Sequence, residues 1–154
     1  MLRRRMLQTG IAIGVLAVSV FGSSSAANAS PTSFIAKAVH AGGAGAVAAQ
    51  ATGGLTWYNR SVTVTSLKFY VKAGECGKLS VFGSQGDTVV DAKGWDRCGG
   101  TTGTWVTIGN VTLDGSAFSG GITDVTIYVR DVDHEIVGYA DCYRVNSSCS
   151  TGQY

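Results

Sequence analysis

Few side chains in this chain stand in patterns that could do chemistry. There are two histidines, His40 and His134, and four cysteines, Cys76, Cys98, Cys142 and Cys149. His134 lies in the run Asp131-Val132-Asp133-His134-Glu135. A catalytic base must be held by a third group beside a nucleophile, and a polar run between two strands does not supply that enclosure. Asp131, Asp133 and Glu135 recur at every second residue. On a strand end they would point the same way and could hold calcium through oxygen, but the full calcium-loop spacing is missing and a polar turn is the better reading. Gly83-Ser84 and Gly115-Ser116 lack the strand-turn-helix setting of a nucleophile elbow. Ten acids offer many pairs for glycoside cleavage and single out none. These patterns predict a non-enzymatic protein with no catalytic residues, no cofactor and no metal.

The cysteines do different work. An even number in an exported chain predicts two disulfides. Four cysteines allow three pairings, and closeness in sequence favours Cys76 with Cys98 and Cys142 with Cys149. A thiolate metal site needs short paired spacings, and no C-x-x-C occurs.

Export is read from the N-terminus. Arg3, Arg4 and Arg5 precede an apolar run from Gly10 to Gly22, then a small-residue stretch ending Ala27-Asn28-Ala29. This is the layout of a signal peptide over residues 1–29, cleaved after Ala29, and the run is short for a membrane span. The whole chain carries a net charge of +2 from twelve basic and ten acidic residues. Without the three arginines nine bases face ten acids, a net charge of −1. Electrostatic capture of nucleic acid or of an anionic membrane loses its support, and the mature protein is expected to be secreted and extracellular.

Beyond the signal, the composition divides. Between Ala41 and Gly54 eleven of fourteen residues are Ala or Gly. Such a tract has little apolar area to offset the entropy of ordering it, and Gly42, Gly43 and Gly45 oppose a helix. Residues 30–54 are therefore expected to form a flexible extension. As an extended strand it is thin on both faces and could enter a partner's narrow groove and pair with a sheet edge. The residues expected to contact that partner are Ile35, Ala36, Ala38, Val39, Ala41, Ala44, Ala46, Val47 and Ala48. The bland alternative is a passive spacer.

Residues 55–154 read as all-β. Val62 and Val64, then Leu67, Phe69 and Val71, alternate with polar residues, and the change of parity predicts a bulge near Ser66. Further strands fit Lys78–Phe82, Thr88–Ala92, Thr104–Ile108, Asn110–Leu113, Val125–Arg130 and Ile136–Tyr143. Glycine-rich turns separate them, as in Gly99-Gly100 and Gly120-Gly121. Seven or eight short strands at this spacing predict an antiparallel β-sandwich. Trp57, Tyr58, Trp95 and Trp105 could form a sugar-stacking platform. Alternation places Trp105 in the core, and Trp95, beside Cys98, either makes an exposed contact or packs over a disulfide.

An export signal, the tract from Phe34 to Ala49 and a small disulfide-bearing β domain together resemble the small adaptor subunit, the B component, of the umbrella toxin particles secreted by streptomycetes. The resemblance implies a protein that bridges two partners: a repeat-containing toxin stalk, and a lectin subunit with a trypsin-like domain whose cleft receives the extension. It implies a role in competition between bacteria. Deleting residues 30–50 is then expected to abolish capture of the lectin subunit and to leave the β domain folded. Two other readings stand beside it, a free carbohydrate-binding module and a secreted protease inhibitor.

Overall fold

The computed structural model describes residues 29–40 and 45–154. The signal segment thus lies almost wholly outside the described residues. Among the described residues there are nine strands: β1 (Ser33–Val39), β2 (Val47–Trp57), β3 (Val62–Val71), β4 (Cys76–Gln85), β5 (Thr88–Cys98), β6 (Thr104–Leu113), β7 (Asp124–Asp131), β8 (Val137–Tyr143) and β9 (Ser150–Gln153). They form two antiparallel sheets, one in the order β1-β2-β3-β6 and the other β5-β4-β7-β8-β9. No helix long and apolar enough to cross a membrane occurs among the described residues.

Period-two alternation builds the core. β3 turns Val62, Val64, Leu67, Phe69 and Val71 inward, β4 adds Leu79 and Val81, and β7 adds Val125, Ile127 and Val129. Each of these side chains, fully buried, contributes about 1.5–3 kcal/mol. The expected bulge is present: Ser66 has φ 50°, and the pairing of β3 with β6 shifts between Val64 and Leu67. Opposite it, Gly109 adopts φ 94° and faces Leu67. The two strands expected at Thr104–Ile108 and Asn110–Leu113 are one strand, β6. A left-handed glycine lets the strand bend here without ending.

Both disulfides pair neighbours in sequence. Cys76 is bonded to Cys98, its register partner across β4 and β5, and Cys142 to Cys149.

One boundary is corrected. Residues 33–39 and 47–57 do not precede the sandwich as a flexible extension; they are its first two strands. Ala36 and Ala38 pair with Ala51 and Ala49, and β2 pairs with β3 from Ala49 to Trp57. Phe34, Ala36, Ala38, Ala48, Ala49 and Ala51 are buried. The alanines offer little area, yet ladder hydrogen bonds and the opposite sheet supply what a lone segment lacks. Phe34 anchors the strand, its ring packed over Gly53, 3.0 Å from where a Cβ there would stand. Side-chain bonds tie the segment further: Ser30 Oγ donates to the Arg144 carbonyl at 2.7 Å, and Trp57 Nε1 to that of Pro31 at 2.7 Å. The Gln153 amide brackets Val39, accepting from its N–H at 2.6 Å and donating to its carbonyl at 2.7 Å.

Candidate functional site

The residues expected to meet a partner divide by strand parity. Ala36, Ala38 and Ala48 are buried and inaccessible to another protein. Ile35 is 49% exposed, Val39 and Val47 are half-buried, and Ala46 is exposed. Ala41 and Ala44 lie outside the described residues. The inward face of this strand is covered by the chain's own second sheet. β1 packs across β8, where Gly138 lies against the Lys37 carbonyl with no room for a Cβ.

What β1 shows to solvent belongs to a larger surface. Lys37, Gln50, Tyr70 and Trp105 are successive register partners across β1, β2, β3 and β6, so they form one row on the outer face of the first sheet. The Tyr70 and Trp105 rings are 5.3 Å apart and tilted at 43°. Trp105 is 50% exposed, which corrects its expected place in the core. Val106, Ile108, Val111 and Leu113 take the inward positions of β6. Shallow depressions beside the indole are walled by Gln50, Thr52, Lys68 and Thr107.

The outer face of the second sheet carries its own aromatic row. Phe82, Tyr128, Tyr139 and Tyr154 follow one another at centroid separations of 5.9, 6.5 and 5.8 Å. Tyr128 and Tyr139 are direct register partners. Burial among these neighbours pushes the Tyr128 phenol up. The signal was present in the sequence: Val125, Ile127 and Val129 alternate with Thr126, Tyr128 and Arg130, which turns Tyr128 outward. The four aromatics weighed from sequence do not form one platform. Trp95 is partly buried against the core, and Trp57 is tied to Pro31 with the Arg144 guanidinium 5.3 Å from its ring.

A third feature lies where the end of β1, the turn before β4 and the end of β7 converge. Asp131, 1% exposed, turns Oδ2 to His40 Nε2 at 3.0 Å and to His134 Nδ1 at 2.8 Å. Glu75 Oε2 lies 3.3 Å from the same nitrogen of His40. The three acids of the run do not point the same way. Asp133 Oδ2 accepts from the Cys76 N–H at 2.7 Å, and Glu135 pairs with Arg130 at 3.0 Å. A left-handed backbone at Glu135, φ 57°, breaks the alternation. Burial pushes the Asp131 carboxyl up, but hydrogen bonds from His134, His40 and the Asp133 N–H outweigh it and hold the group below its ordinary range. Among the described residues this is the group of side chains able to ligate a metal, all four ligand atoms lying within 4.8 Å of one another. The cysteines are consumed in disulfides. His40 joins from 91 residues away, so no local spacing could have announced the cluster.

No family model matches the chain, and neither a curated protein nor a solved structure is significantly similar to it.

Proposed function

We propose that this is an exported, non-enzymatic adaptor that holds two protein partners on opposite faces of one sandwich. The observation that carries the reading is the pair of aromatic rows, Tyr70 with Trp105 on one sheet and Phe82, Tyr128, Tyr139 and Tyr154 on the other. Large aromatic side chains supply most of the binding energy of protein interfaces. Rows on two packed sheets are rigid and separated by the core, so two partners can dock without competing. Two disulfides suit the oxidising exterior. In this reading the partners are those the resemblance implies, a repeat-containing toxin subunit and a lectin subunit with a trypsin-like domain. The mode of attachment differs from a free plug: β1 offers Ile35 and Lys37 as part of a face.

Affinity purification of the tagged protein from culture supernatant, followed by mass spectrometry, tests this. Two co-purifying proteins are expected. Trp105→Ala should lose one and Tyr139→Ala the other. Loss of both partners from either variant, or of neither from both, contradicts the two-face arrangement.

A second reading is favoured by the exposed indole of Trp105 alone, which could stack on a sugar ring as in carbohydrate-binding modules. Glycan binding by the purified protein, abolished in Trp105→Ala, would establish it in place of the adaptor.

A further inference from the structure

The geometry points to a zinc site built from His40, Glu75, Asp131 and His134. The four donors are His40 Nε2, His134 Nδ1, Asp131 Oδ2 and Glu75 Oε2. Three of their six separations are 2.8, 3.0 and 3.3 Å and every one is within 4.8 Å, so small shifts bring them to the spacing that a tetrahedral ion imposes. With metal–ligand bonds of about 2.0–2.1 Å, adjacent ligand atoms stand about 3.4 Å apart.

The second oxygen of each carboxylate is already engaged, which fixes the free one toward the imidazoles. Asp131 Oδ1 accepts from the Asp133 N–H at 3.0 Å, and Glu75 Oε1 from Lys72 Nζ at 2.7 Å. Such outer partners orient metal ligands. Glu75 Oε2 is the second, independent sign. It is a buried carboxylate oxygen with no hydrogen-bond partner, on a residue only 9% exposed, and it faces His40. A buried, unsatisfied anionic oxygen is costly in a purely protein environment, and a cation between the four groups would satisfy it.

The donor set selects the metal. Two imidazoles with two carboxylates suit zinc and neighbouring first-row divalent ions, whereas calcium and magnesium take all-oxygen sites. His134, half-exposed, leaves the site open to solvent for entry. The ion would bind where β1 ends against the second sheet, so zinc and a seated β1 favour each other by linkage.

The test uses the whole mature protein, stripped with chelator and titrated with Zn²⁺ by calorimetry. Co²⁺ titration follows by visible absorption. One equivalent of Zn²⁺ is expected, with a rise in melting temperature and the intense absorption of four-coordinate cobalt. His134→Ala, at a half-exposed position, should weaken zinc by more than the ~10–100-fold that loss of an outer partner costs, with folding checked by circular dichroism. Glu75→Gln should weaken it as well, while circular dichroism stays unchanged. Failure of the folded protein to bind Zn²⁺, binding of Ca²⁺ in its place, or full affinity in His134→Ala would each overturn the assignment.

Discussion

The α-carbon of Gly138, on β8, lies against the backbone carbonyl of Lys37, on β1, so closely that a side chain of any size is excluded. This contact seats the edge strand of one sheet on the other. Because both parties are backbone, neither can rotate away. Gly138→Ala is expected to destabilise the protein by at least the ~1–3 kcal/mol of ordinary overpacking. It should also speed amide exchange across residues 33–39 ahead of the rest. Denaturant titration and hydrogen exchange check the two parts.

Phe34 is the large side chain that anchors the same strand, and it is 4% exposed. Phe34→Ala should cost about 3–5 kcal/mol, the usual range for emptying such a site. A loss below 1 kcal/mol in a urea titration would mean that β1 is not held as described.

The disulfides differ in the loops they close, 22 residues for Cys76–Cys98 and 7 for Cys142–Cys149. On the chain-entropy model these are worth about 3 and about 2 kcal/mol. Replacing the first pair by serines should therefore lower stability more than replacing the second. Comparison of denaturation midpoints for the two double variants decides the order.

Asp91 joins the sheets at their other side. Its Oδ2 accepts from the Asp114 N–H at 3.0 Å, and its Oδ1 from Lys93 Nζ and the Ala92 N–H, each at 2.8 Å. Burial pushes this carboxyl up, but the three hydrogen bonds outweigh it and hold it below the ordinary 3.8. A carboxyl lowered on folding stabilises fully above its unfolded pKa, and the contribution is lost as pH falls through the folded value. Asp91→Asn should cost about 1–2 kcal/mol at neutral pH. The difference from the parent should shrink on acidification, and thermal melts across the acid range would show this.

Trp105 and Tyr139 stand on opposite outer faces. Alanine at Trp105, where half the side chain is already in water, should cost about 1 kcal/mol, roughly the worth of its cross-strand pair with Tyr70, and leave the protein folded. Thermal melts of Trp105→Ala confirm that any partner it loses is lost through the surface and not through unfolding.

Much of the fold is legible in residues whose alternation is strong. Val62 to Val71 announces a strand and its bulge, and the cysteine spacing favours the pairing found. The alanine tract misleads because the stabilisation of β1 is not in its own side chains. It comes from the β2 ladder, from the space left by Gly138 and from the Gln153 amide, 114 residues away from Val39. Trp105 misleads because the register shift around Gly109 resets parity along β6. The cluster around Asp131 is assembled from three distant segments, and only the fold brings His40 to it.

Residues 33–39 and 47–57 are strands of the sandwich, and both outer faces take their shape from that. Circular dichroism and thermal denaturation of a chain lacking residues 30–50 test this most directly. The structure leads us to expect no cooperative melting transition, since β1 and the start of β2 are removed. A truncated chain that melts cooperatively near the temperature of the intact protein would contradict it, and would return those residues to the role of a detachable extension.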